Sequence, residues 1–103
     1  MENVNIFGFG SFFNNNTKFN DIDILLLHQS ISYESCQFSL RCKKYLLANL
    51  INAHITILSL SEEHQLDFFN KSKAKYLGKI YEESAEYDLN VILNTINGVK
   101  NLE

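Results

Sequence analysis

The chain has 103 residues, 46% of them hydrophobic and 13% aromatic, with a net charge of −3 and a pI of about 5.6. That length carries one core, so a single domain over residues 1–103 is expected, and the apolar content excludes a disordered chain. The acidic balance argues against a general nucleic-acid binder, which needs clustered lysine and arginine to displace counterions from phosphate.

No basic stretch leads into an apolar one after Met1 and Glu2, so no secretory signal is read. The longest aliphatic run, Ile24 to Leu27, is far too short to span a membrane. Cys36 and Cys42 fall within one expected helix, about 600° apart, so the thiols cannot bridge. Reduced thiols in turn point to a cytoplasmic protein.

Asn5 to Phe9 reads as a first strand, rich in β-branched and aromatic residues and bounded by Gly8 and Gly10. The polar link from Phe12 to Asn20, through Asn14, Asn15 and Asn16, is shorter than the dozen or more residues of a parallel crossover. The second strand, Asp21 to Leu27, is therefore expected to run antiparallel to the first. Alternation puts Asp21, Asp23, Leu25 and Leu27 on one face, and the antiparallel turn sets Gly10 and Ser11 beside the two aspartates.

Ser30 or Ser32 caps the helix that follows, which runs to about Leu50 with Cys36, Leu40, Leu47 and Ile51 as its apolar stripe. Arg41, Lys43 and Lys44 lie on its polar side, either as a solvated face or as a phosphate contact. Ala53 to Leu60 is the third strand. A strand–helix–strand unit of this length predicts that it runs parallel to the second, which brings His54 and Thr56 to the edge that holds Asp21 and Asp23.

Ser61, Glu62 and Glu63 open another helix, packed through Leu66, Phe69, Tyr76 and Leu77 and ended by Gly78. Lys79 to Glu82 alternates as a short fourth strand. Ser84 then caps a last helix with Leu89, Ile92, Leu93 and Ile96 on one face, stopped at Gly98. The sum is an α+β (mixed α/β) fold, a three- to four-stranded mixed sheet covered by helices.

Two carboxylates at i and i+2 on a strand project side by side. Alone they are either solvated acids at a sheet edge or ligands for a hard cation such as Mg2+, which takes oxygen donors and keeps waters or phosphates as the remainder. The adjoining turn favours the second reading, since Gly10 permits close backbone approach and Ser11 with nearby N–H groups can hold phosphate. His28 and His64 share no metal-ligand spacing with each other or with the cysteines, which argues against a zinc site.

Gly10-Ser11, followed by Asp21-Ile22-Asp23 and an aliphatic run, resembles the signature of the polymerase-β-like nucleotidyltransferases, and in particular their minimal members. The run ITILSLSEE, a helix and then GKIYE are similar to the third strand, helix and closing strand of those domains, so the likeness extends over roughly Val4 to Glu82. It implies a polymerase-β-like core in which Gly10 and Ser11 bind nucleotide phosphates. Asp21 and Asp23 would be the catalytic carboxylates and the ligands of two Mg2+ ions, with ATP as substrate.

The likeness further implies an antitoxin that transfers AMP to a protein hydroxyl, its partner a HEPN-type toxin. It departs at the third acid, expected early in the third strand, where the chain has His54 and Thr56 and Thr56 is the best match for the vacant position. His54 is either a substitute base or ligand, or a wetted strand edge. Strand one also begins almost at Met1, without the helix that usually precedes it in relatives, so an apolar sheet face is expected to await a partner.

Two readings compete: an active nucleotidyltransferase, and a degenerate one that neutralises or scaffolds a partner by contact alone. Action on RNA ends is disfavoured by the acidic balance and by the want of an aromatic-basic surface. Oligomerisation is left open.

Overall fold

A computed structural model describes residues 2–13, 21–66 and 73–101, apart from the side chains of Ser11, Gln65, Leu66, Val99, Lys100 and Asn101. The fold is α+β, a four-stranded mixed sheet packed with helices. The strands are β1 (Asn3–Phe9), β2 (Ile22–His28), β3 (Ala53–Ser59) and β4 (Lys75–Tyr81), in the order β3-β2-β1-β4. The helices are α1 (Tyr33–Asn49), α2 (Leu60–Leu66) and α3 (Ala85–Asn101), with short 3-10 turns at Ser11–Phe13 and Glu82–Ser84. β1 runs antiparallel to both β2 and β4, and β2 runs parallel to β3, as the link lengths require.

β2 is interior and buried on both faces, which is why Leu25, Leu26 and Leu27 can follow one another without a polar residue between them. On one face Val4, Ile6, Ile22, Ile24, Leu26, Ile55 and Ile80 meet Phe38, Cys42 and Leu46 of α1 and Leu89, Ile92, Leu93 and Ile96 of α3. On the other, Leu25, Leu27 and Leu58 form a smaller cluster with Phe7 and Phe9 packed against it. Asp23 belongs to this second face, whereas Asp21, expected to open the strand, stands just before it because β2 begins at Ile22.

The apolar stripe expected on α1 is rotated. Ser35, Phe38, Ser39, Cys42 and Leu46 are the buried residues, whereas Leu40, Leu47 and Ile51 are exposed and Cys36 is half-buried. The buried serines are internally satisfied, which lets polar residue types occupy a core face. Ser39 Oγ donates to the Ser35 carbonyl at 3.0 Å, and Ser35 Oγ lies 3.0 Å from His28 Nδ1, which donates to the Ser30 carbonyl at 2.6 Å. Of the two candidate caps Ser32 is the one used, its Oγ accepting from Ser35 N at 3.2 Å.

Three boundaries also differ. α2 starts earlier than Ser61: Ser59 and Glu62 close a capping box, Glu62 N donating to Ser59 Oγ at 3.2 Å and Ser59 N to Glu62 Oε1 at 2.8 Å. Tyr76, Leu77 and Gly78 lie in β4 and not in or after a helix, because long-range pairing with β1 overrides a local apolar spacing that also fits a helix. Gly78 has φ 154° beside a register shift at Ile6/Phe7, and a Cβ there would stand 2.7 Å from Ile92 Cδ1, so α3 sits directly on it. Gly98 does not stop α3, which continues to Asn101. The expected packing of Phe69 and of the Leu66 side chain, and the loop at Asn14, Asn15 and Asn16, lie outside the described residues.

Asp88 ties β4 to α3: its Oδ2 accepts from Tyr81 N at 3.0 Å and from Ser84 Oγ at 2.7 Å, so Ser84 enters the helix start through a side chain. Arg41 reaches Glu82 at 2.8 Å, which accounts for one of the three α1 cations as an internal ion pair. Among the described residues no helix is long and apolar enough to cross a membrane.

Candidate functional site

The site is assembled by strand pairing. In the β1–β2 register Phe9 pairs with Asp23, which carries the Gly10 turn to the start of β2. Gly10 has φ 78°, the left-handed region that glycine enters without a Cβ penalty. The approach is close: a Cβ built on Gly10 would lie 2.5 Å from Asp23 Oδ2. Ser11 begins the 3-10 turn, and its side chain lies outside the described residues.

The other wall comes from β3. Asn52, in the left-handed region at φ 60°, ends the connection from α1, and its carbonyl accepts from Ile22 N at 2.8 Å. That bond holds the start of β2 against the start of β3. The parallel register then pairs Asp23 with His54 and Leu25 with Thr56. His54 Nε2 lies 3.5 Å from Asp21 Oδ1, with both side chains well exposed, so the contact contributes little to stability.

The expected convergence of Gly10, Asp21 and Asp23 at one edge therefore holds, and His54 joins them. Thr56 lies one pleat further along the same face, opposite Leu25; the position next to Asp23 is occupied by His54. Partial burial pushes the Asp23 carboxyl above its ordinary value; His54 acts against that shift and the neighbouring Asp21 carboxylate adds to it.

The Asp21 and Asp23 carboxylates are both half-exposed, Asp21 just before β2 and Asp23 within it. Among the described residues, no group of three or more His, Cys, Asp or Glu side chains is placed to hold a metal ion.

Sequence reasoning did not bring Tyr76 to this face. β4 pairs Tyr76 with Phe7, so its ring stands on the same side of the sheet as Asp23. The available signal was the K-Y-L-G-K-I-Y stretch, whose alternation is broken at Leu77-Gly78 by the register shift. Compared with protein-family models, with curated proteins and with solved structures, the chain matches none.

Proposed function

We propose that the edge formed by Gly10, Asp21 and Asp23 is a cation-assisted nucleotide site, and that the chain is a nucleotidyltransferase-type domain passing AMP from ATP to a protein hydroxyl. The observation that carries this reading is the seating of the Gly10 backbone against the Asp23 carboxylate, with Asp21 immediately before β2 and 3.5 Å from His54. A turn backbone held this close to the acids suits a cation that shares carboxylate and phosphate oxygens.

Asp21 and Asp23 would hold Mg2+, which when bound supplies neutralisation of phosphate charge. Gly10, by lacking a Cβ, lets the Asp23 carboxylate stand against the turn. In the transfer, the acceptor oxygen bonds to the α-phosphorus as the bond to the pyrophosphate oxygen breaks, and the hydroxyl proton leaves to water. An antitoxin role beside a HEPN-type toxin supplies such an acceptor, and a reducing cytoplasm suits two unbridged cysteines.

The test is transfer of label from ATP in the presence of Mg2+ to the product of the adjacent gene. Transfer lost in both Asp21→Ala and Asp23→Ala supports the reading. A wild-type chain that labels no acceptor removes the catalytic part of it.

A second reading has its own observation. The third acid that an active site of this type wants is matched at Thr56, a hydroxyl opposite Leu25, while an imidazole, His54, faces Asp23; general-base assistance is typically worth 10²–10⁴-fold. On that reading the chain neutralises its partner by contact, and Asp21→Ala leaves neutralisation intact. Loss of neutralisation in a folded Asp21→Ala variant would sink the contact-only account.

A further inference from the structure

We propose that Tyr76 is the platform on which the base of the bound nucleotide stacks, an inference that rests on the reading of Gly10, Asp21 and Asp23 as the phosphate end of the site. Tyr76 is 57% exposed, yet its ring is held in place. It meets the Phe7 ring edge-on, with centroids 5.3 Å apart and planes at 62°, and its hydroxyl donates to Asn5 Oδ1 at 3.2 Å. An exposed aromatic fixed at both its body and its tip loses little side-chain freedom when a second ring settles on it.

The placement suits a nucleotide. Asp23 pairs with Phe9, Phe7 lies two residues back along β1, and Tyr76 pairs with Phe7 across the next strand gap. Two strand spacings of about 4.8 Å and two residues of about 3.4 Å separate Tyr76 from Asp23 by roughly 12 Å along one sheet face. That is the reach of an extended nucleoside triphosphate from its phosphates to its base. Phe9, half-buried against the Leu25, Leu27 and Leu58 cluster, lies on the line between them.

Stacking on a tyrosine reads surface area and not hydrogen-bond pattern, because every base has a π-face. The site is therefore expected to prefer purine over pyrimidine triphosphates, without a sharp choice between adenine and guanine. Losing one such stack corresponds to about a tenfold drop in affinity or more.

The experiment measures binding of MgATP and of magnesium tripolyphosphate, which lacks a base, to the whole chain by titration calorimetry. The variants are Tyr76→Leu and Tyr76→Phe, each checked for native circular dichroism. The proposal expects Tyr76→Leu to weaken MgATP about tenfold and to leave tripolyphosphate unchanged, with Tyr76→Phe close to the wild type. An equal loss for both ligands, or none for MgATP, would overturn it. A wild type that binds tripolyphosphate as tightly as MgATP would overturn the base platform while leaving the phosphate site standing. Binding of neither ligand would end both readings.

Discussion

Replacing Gly10 by alanine tests the turn on which the site depends. The residue sits at φ 78°, where an L side chain costs about 1–2 kcal/mol. A second cost arises because the new Cβ would lie 2.5 Å from Asp23 Oδ2, closer than real contacts allow, so the carboxylate must leave its place. Together these give an expected loss of about 1–3 kcal/mol. For a chain of this size that corresponds to a fall of about 1 M or more in the urea midpoint at unchanged slope.

The two costs separate in a double-mutant cycle with Asp23→Ala. Shortening Asp23 removes the steric share and leaves the backbone share, so Gly10→Ala should cost less in the Asp23→Ala background than in the wild type. Urea unfolding followed by circular dichroism reads all four corners. Full additivity would refute the contact between the Gly10 backbone and the Asp23 carboxylate. A Gly10→Ala variant as stable as the wild type would refute the left-handed turn itself.

Gly98 provides the opposite outcome: it lies inside α3, and a Cβ added there would meet nothing within 4 Å, so Gly98→Ala should raise stability by about 0.5–1 kcal/mol in the same unfolding assay. Burial pushes the Cys42 thiol up to about 12, against a smaller opposing pull from Arg41, so it stays protonated at ordinary pH. Mass mapping after iodoacetamide at pH 8 should find half-buried Cys36 labelled in the native chain and Cys42 labelled only after unfolding. Because that shift is upward, the associated stability is present below the ordinary thiol value and fades as pH rises towards about 12. The Glu62 carboxyl is held below its ordinary value by the hydrogen bond from the Ser59 backbone and then by the one from its side chain. Its contribution is therefore present above the ordinary glutamate value and lost as pH falls through the depressed one. The Ser59 amide resonance should report that titration, and Ser59→Ala should lessen the depression without abolishing it, because the larger backbone bond remains.

Much of the fold was legible in the residues. The Phe12–Asn20 link is too short for a parallel crossover, so β1 and β2 had to be antiparallel, and the α1 unit long enough for one had to make β2 and β3 parallel. Those two inferences, with the alternation of Asp21, Asp23, Leu25 and Leu27, place the Gly10 turn, the carboxylates and His54 at one edge. Local pattern sufficed there because chain connectivity left a single arrangement.

Tertiary structure alone decided which side of α1 enters the core and where β4 begins. Ser35 and Ser39 read as polar by type, and only His28 and the helix carbonyls, brought close by folding, satisfy them and let that face be buried. The stretch around Tyr76 carries apolar spacing compatible with a helix. Pairing with β1 makes it a strand, and the irregularity opposite Ile6 and Phe7 then sets Tyr76 on the face of Asp23. Connectivity and alternation are properties of the chain itself; the partner that satisfies a buried hydroxyl or pairs an edge strand is supplied by residues distant in sequence.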